Sequence, residues 1–335
     1  MTTTTGTRAV PIVARTRAER RVARGLALEP GGPPSVQARI AGQMAKVLVK
    51  GAWSAIPDSP EGLLRFQRAA ERVALIQSVP RGVSLTQENL GTCTAEWVRA
   101  GAPDERKVFL YLHGGGYFFG SPRLYRPSTW RLSASTGRPV LALDYRLAPQ
   151  HTPYDALNDA LAAYDFLLRG GYEPGDIVVG GDSAGGHLTL ALLLALKRRE
   201  TGLPAAALCL SPWVDLLCSA DSHRLNARTE TVIPPDKLAW LGRRFCAGKD
   251  RDDPLLAPRH ADLAGLPPLL VVASADEILR DDARDLAERA RAAGVATVYQ
   301  EWDGLMHVFT VFADHVPEGR AAFRHVAEFL RGIGS

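Results

Sequence analysis

The run Gly181-Asp182-Ser183-Ala184-Gly185-Gly186 sets a serine between glycines where an apolar, β-rich stretch (Ile177–Asp182) gives way to a helical one at 184–199. That is the G-x-S-x-G pattern in a strand, sharp turn, helix context. Glycines suit a turn too tight for neighbouring side chains. The turn presents the Ser183 hydroxyl at the carboxyl end of a strand, beside a helix N-terminus that favours negative charge. About 70 residues earlier, His113-Gly114-Gly115-Gly116-Tyr117 follows the apolar run Val108–Leu112. Three bare glycines let backbone N–H groups approach a developing oxyanion. A flexible loop would carry the same glycines, but the pairing with a serine elbow points to acyl transfer.

A serine nucleophile needs a base and an acid to orient it, in the chain order serine, acid, histidine on this type of scaffold. Asp276 stands just past the run Leu269–Ser274, and His307 just past Thr297–Trp302. Both positions put them on the strand edge that carries Ser183. Glu277 is the rival to Asp276; the shorter side chain directly after the strand is taken as the orienting acid. His187, four residues after Ser183 on an apolar helix, reads as packing. His315 and His325 sit in or beside the last helix, and His151 and His260 fall in loops. Asp281 and Asp282 have the character of first-turn helix acids.

The elements that must position these groups are legible as alternation. Val108–His113, Pro139–Asp144, Ile177–Asp182, Ala206–Ser211, Leu269–Ser274 and Thr297–Trp302 read as strands. Helical stretches at 154–169, 184–199, 281–293 and 318–331 intervene. Near-continuous apolar strands alternating with helices predict a mostly parallel sheet covered on both faces, an α/β fold. Segments 83–89 and 93–99 alternate and predict an antiparallel pair at the sheet edge. The division expected is a basic arm at 1–34, helices at 35–80, and a catalytic domain at 81–335 interrupted near 215–256. Val36, Ile40, Met44, Val47 and Leu48, then Leu63, Leu64, Phe66, Ala70 and Val73, mark the helical faces expected to pack onto the body as a cap.

Composition narrows the function. The chain has 335 residues, 46% hydrophobic and 23% charged, a profile of a globular protein. Its net charge of +4 matches the excess of six arginines over two glutamates in residues 1–30. The body is balanced, with no basic face for nucleic acid. The longest apolar run, Leu190–Leu196, is far short of the roughly 20 residues a bilayer span needs. Cys93, Cys209, Cys218 and Cys246 lack metal or redox spacing and read as reduced thiols of a cytoplasmic protein. No metal or organic cofactor is implied.

Taken together, His113–Tyr117, Asp144-Tyr145-Arg146-Leu147-Ala148-Pro149, Gly181–Gly186, Ser211-Pro212-Trp213 and the surroundings of Asp276 and His307 resemble the hormone-sensitive-lipase family of α/β-hydrolases. The branch in question holds bacterial carboxylesterases, acetyl hydrolases and monoterpene lactone hydrolases. The resemblance runs from about residue 80 to 331 and implies an α/β-hydrolase fold with a helical cap. It implies Ser183 as nucleophile, His307 as base and Asp276 as its orienter, with the N–H groups of Gly115, Gly116 and Ala184 as oxyanion hole. Tyr117, Phe118, Trp213, Leu305 and Met306 would line an apolar site for a short or medium acyl ester. An acetyl hydrolase or lactonase acting on a specialised metabolite is the alternative. Ligand-binding receptors that resemble the family lack the histidine, so the presence of His307 favours an enzyme. Homodimerisation through Thr297–Trp302 follows by analogy.

Overall fold

The computed structural model describes residues 33–249, 253, 256 and 258–333. The basic arm lies outside the described residues except for Pro33 and Pro34. The strands are β1 (Val83–Asn89), β2 (Thr94–Ala100), β3 (Val108–Leu112), β4 (Val140–Asp144), β5 (Ile177–Asp182), β6 (Ala206–Leu210), β7 (Leu269–Ser274) and β8 (Thr297–Trp302). Among the described residues they form one eight-stranded sheet in the order β1-β2-β4-β3-β5-β6-β7-β8. β1 and β2 are the expected antiparallel edge pair, and the strands from β4 to β8 run parallel. Every residue of β3, β5, β6 and β7 is buried, which is why these strands read as unbroken apolar runs.

Helices cover the two faces. They are α1 (Val36–Ala45), α2 (Gly51–Ala55), α3 (Pro60–Ala74), α4 (Arg126–Thr136), α5 (Pro153–Arg169), α6 (Ala184–Arg198), α7 (Ser222–Leu225), α8 (Pro235–Cys246), α9 (Arg280–Ala292) and α10 (Pro317–Ile333). α6 is apolar all round and buried from Ala184 to Leu196, as befits the central helix of the molecule. α5 opens on a capping box at Thr152 and Asp155. α4 was invisible to periodicity because its inward face is polar: Ser128, Thr129 and Ser133 are buried, and Ser133 Oγ accepts from Ala100 N–H at 3.1 Å. Arg126 on that helix makes two bonds, 2.9 and 2.5 Å, to the buried Glu96 of β2. Removing one partner of such a buried pair costs about 3–5 kcal/mol.

The N-terminal helices correct one expectation. Val36, Ile40, Met44, Val47, Leu48 and Val73 are more than half exposed, whereas Ala38, Gly42 and Ala45 are buried. The small residues form the inward face because they let the α1 backbone lie close to its neighbours. Leu63 and the half-buried Phe66 of α3 do face inward, Phe66 against Trp53 at 6.2 Å between ring centroids. The two helical segments outside the sheet are bonded to each other. Lys50 Nζ donates to the Glu230 carbonyl at 2.7 Å, and Lys237 Nζ donates to the Ile56 carbonyl and to Asp58 Oδ1, both at 2.6 Å.

The sheet and α6 meet at β3 with almost no clearance. A Cβ added to Gly185 would lie 2.0 Å from the Leu112 carbonyl oxygen, and one on Gly181 would lie 2.1 Å from the same atom. Gly185→Ala is therefore expected to destabilise the protein by about 3 kcal/mol or more, beyond the usual range of overpacking, because the obstacle is backbone. Chemical denaturation of the variant measures this.

Candidate active site

Parallel strands deliver their carboxyl ends to one edge, and the chemistry collects there. Ser183 follows β5 with φ 53° and ψ −119°, a strained left-handed conformation for a residue with a side chain. Four backbone bonds hold it: Ser183 N–H donates to the Leu210 carbonyl at 2.8 Å, and its own carbonyl accepts from Trp213 N–H and Gly186 N–H, both at 3.0 Å, and from His187 N–H at 3.2 Å. Ser183 is only 7% exposed, and its hydroxyl makes no hydrogen bond among the described residues.

The glycine loop after β3 is tied to the elbow by Asp182, a residue the sequence reading passed over. Its Oδ1 accepts from Gly114 N–H at 3.0 Å and from the Tyr111 hydroxyl at 2.6 Å. Burial pushes the Asp182 carboxyl up to about 6, against the pull of these donors. Tyr145, from the Asp-Tyr-Arg-Leu-Ala-Pro run, stacks on His113 at 4.2 Å and donates to the His113 carbonyl at 2.6 Å. His113 Nδ1 faces the Gly114 carbonyl at 2.7 Å, so Nδ1 carries the proton, and burial pushes its pKa down to about 4. The loop is thus locked from behind. The Gly115 and Gly116 amides donate to no group among the described residues, and Ala184 N–H is an orphan of the first helical turn.

His307 follows β8 and is 3% exposed. Its Nδ1 donates to Glu277 Oε2 at 2.5 Å. Glu277, not Asp276, is therefore the acid the fold brings to the histidine. The reason lies in the turn after β7. Glu277 folds back over the strand end, its Oε1 accepting from Ser274 N–H at 2.9 Å while Oε2 reaches the imidazole. Asp276 is carried outward: it is half-buried, and its backbone carbonyl accepts from Thr229 Oγ1 at 2.8 Å. The shorter side chain on the nearer residue is aimed elsewhere. The extra residue and methylene of Glu277 supply the reach.

Burial alone would lower the His307 pKa, but the Glu277 hydrogen bond and charge outweigh it and hold the imidazole above its ordinary value. Burial also raises the Glu277 carboxyl. Asp182 lies near enough to His307 for the two charges to interact. No hydrogen bond joins His307 Nε2 to Ser183 Oγ in this structure, a looseness common before substrate binds. His187 is a packing residue: buried, it faces the Tyr117 hydroxyl at 2.7 Å through Nδ1 and the Leu256 carbonyl at 3.2 Å through Nε2. The network makes Nε2 the donor and Tyr117 the donor to Nδ1.

The expected apolar lining is redistributed. Tyr117 is occupied by His187. Trp213 is fully buried, and its contribution is the backbone bond to Ser183, with Pro212 pressed so close that a Cβ on Gly186 would lie 2.8 Å from it. Leu305 and Met306 are buried, and the Leu305 carbonyl accepts from Ser274 Oγ at 2.6 Å. Phe118 lies against the glycine loop, its ring 3.2 Å from where a Cβ on Gly116 would stand, with Leu241 of α8 at 3.5 Å. Among the described residues no group of three histidine, cysteine or carboxylate side chains could hold a metal, and no helix is long and apolar enough to cross a membrane.

The model of the α/β-hydrolase fold family matches residues 109–311. An acetyl-hydrolase of Streptomyces hygroscopicus is 42% identical over 268 residues, 80% of this chain and 88% of the relative. The crystal structure of an esterase from the bacterial hormone-sensitive lipase family superposes with TM-score 0.82 at 37% identity, covering 90% of this chain and 99% of that one. EstE5 soaked with p-nitrophenyl butyrate superposes with TM-score 0.83 at 33% identity, over 90% of this chain and 100% of that one. The chain belongs to the hormone-sensitive-lipase family of α/β-hydrolases, a class of carboxylic ester hydrolases.

The geometry of the acid loop generates an ordered expectation. Glu277→Gln should lower kcat by on the order of 10⁴, because the imidazole loses the partner that fixes its tautomer. Asp276→Asn should cost less than about tenfold on the same grounds. Steady-state kinetics on a soluble ester compares them, and the reverse order would return the role to Asp276.

Proposed function

We propose that the protein is a serine carboxylesterase that hydrolyses short- to medium-chain esters through an acyl-enzyme. The observation that carries the mechanism is the buried 2.5 Å bond between His307 Nδ1 and Glu277, on the strand edge that also presents Ser183. Ser183 Oγ attacks the ester carbonyl while His307 Nε2 takes its proton. Glu277 keeps Nδ1 protonated and stabilises the imidazolium. The N–H groups of Gly115, Gly116 and Ala184 receive the oxyanion, each donor of this kind contributing about 3–4 kcal/mol to the barrier reduction. His307 then hands its proton to the departing alcohol, and water activated by the same histidine cleaves the acyl-serine. The chemistry calls for no metal or organic cofactor.

Substrate range follows from the enclosure. Phe118 and Leu241 stand over the glycine loop, and Phe118 packs on Trp53 at 5.2 Å and Phe66 at 5.6 Å. We read the 35–80 helices and the 215–256 segment as a cap that closes an apolar pocket of finite length. The acetyl-hydrolase relative favours the short end of the range, with acetyl esters of a specialised metabolite as the second reading. Turnover across p-nitrophenyl esters should be fastest for acyl groups of about two to eight carbons, as such a pocket admits. Faster hydrolysis of long-chain triglyceride emulsions would make it a lipase instead. Cys93, Cys209 and Cys218 are free thiols, which supports a reducing, cytoplasmic setting. β8 is one of the two edge strands among the described residues and the one through which a homodimer would pair; a monomer in sedimentation velocity rejects that mode.

Two outcomes test the mechanism directly. Ser183→Ala should abolish esterase activity with the denaturation midpoint preserved, and a fluorophosphonate should label Ser183 alone, read by peptide mass spectrometry. Because His307 works as a base only when neutral and its pKa is raised, kcat/KM should be lost as pH falls through a midpoint above the ordinary value of about 6.5. A rate flat from pH 5 to 9 would remove His307 from the mechanism.

A further inference from the structure

The turn that selects Glu277 over Asp276 is held by a segment from outside the sheet. Four successive backbone carbonyls, 275 to 278, each accept a hydrogen bond from a side chain of residues 222–229. Asn226 Nδ2 donates to the Ala275 and Glu277 carbonyls, both at 2.8 Å; Thr229 Oγ1 donates to Asp276 at 2.8 Å; Ser222 Oγ donates to Ile278 at 2.6 Å. Glu230 completes the grip from the other side of the peptide chain. Its Oε2 accepts from Ile278 N–H at 3.1 Å, while Oε1 accepts from Val232 N–H at 2.6 Å and Ile233 N–H at 3.1 Å. Glu230 is 1% exposed.

A buried carboxylate so near another one needs a reason. A glutamine has a single acceptor oxygen and would turn its amide donor against one of these N–H groups, so the three donors suit a carboxylate. That carboxylate nonetheless sets a second negative charge beside Glu277, and like charges in a dry interior destabilise each other. The compensating gain lies at the imidazole, where a second anion favours the cation formed when Ser183 is deprotonated. We propose that Glu230 is a positioning residue for the reaction: it fixes the Ile278 peptide, and with it the direction of Glu277, and its charge stabilises the His307 imidazolium. This rests on the assignment of Glu277 and His307 as the acid–base pair. The charged groups around the imidazole are Glu277 from the turn after β7, Asp182 from the end of β5, and Glu230. Asp276 and, from the N-terminal helices, Lys50 act on Glu230 in turn.

The sign is fixed by that arrangement. With the Glu230 charge removed, the imidazolium is less favoured, the His307 pKa falls, and the acidic limb of the pH–rate profile moves to lower pH. The experiment measures kcat and kcat/KM for p-nitrophenyl butyrate from pH 5 to 9 on the full chain and on Glu230→Gln, Glu230→Asp and Lys50→Met. Glu230→Gln should lower kcat with KM little changed and move the limb down by about 0.3 pH unit or more, a conservative floor, since one charge about 10 Å away acts by roughly 1 pH unit at an effective dielectric near 20. Glu230→Asp, which keeps the charge, should hold the wild-type midpoint even where kcat drops. Lys50→Met, which removes the cation against Glu230, should move the midpoint up. An unmoved midpoint in Glu230→Gln overturns the proposal whatever happens to thermal stability; should that variant not fold, an unmoved midpoint in Lys50→Met does so. If Glu277→Gln stays within tenfold of wild type, the acid–base assignment itself has failed, an outcome distinct from Glu230 being silent beside an essential Glu277.

Discussion

The arrangement of the site depends on a steric constraint, the contact between the elbow and the Leu112 carbonyl. Gly181 and Gly185 approach that single oxygen so closely that no side chain fits at either position. The closeness fixes the end of β5 and the start of α6 against the end of β3, and so places the His113–Tyr117 loop beside Ser183. Asp182 then bridges the two by accepting from Gly114 N–H and Tyr111. A methyl group at either glycine would part the nucleophile from its oxyanion loop. The strained φ of Ser183 is held by the same neighbours through Leu210, Trp213 and Gly186.

Around this frame the molecule buries an unusual density of charge. Asp182, Glu277 and Glu230 are all withdrawn from water, and each accepts from at least one backbone N–H; Asp182 Oδ1 and Glu277 also have side-chain partners, and Glu230 is held by backbone donors alone. Isolated, such groups would neutralise or destabilise the fold. Their donors make them tolerable, and their shared neighbour His307 makes them useful, since each favours the imidazolium. The imidazole is held above its ordinary pKa in spite of burial, whereas His113 and His187, buried without a carboxylate partner, fall to about 4. Three histidines in similar dryness thus differ through their partners alone.

The helical segments outside the sheet do more than cover it. Residues 222–230 hold the acid turn by its carbonyls, and Lys50 and Lys237 bind the N-terminal helices to the same region. A few short polar contacts thus join the N-terminal helices, residues 222–230 and the turn that carries Glu277.

Ser183, His307, the glycine loop and the strand edge that gathers them were legible in the sequence. Each depends on local rules: glycines where backbone must approach closely, apolar runs where strands are covered on both faces, and chain order where parallel strands end together. α4 was not legible, because its buried face is made of serine and threonine paired to backbone and so carries no hydrophobic period. The inward face of α1 was misread for a related reason, since close helix approach selects Ala38, Gly42 and Ala45 over the larger residues that a burial rule favours. Between Asp276 and Glu277 the sequence offered two adjacent carboxylates and no way to know how the chain turns after β7. That direction is set by Asn226, Thr229, Ser222 and Glu230, some 50 residues away, and non-local hydrogen bonds of this kind leave no periodic trace in the chain that they orient.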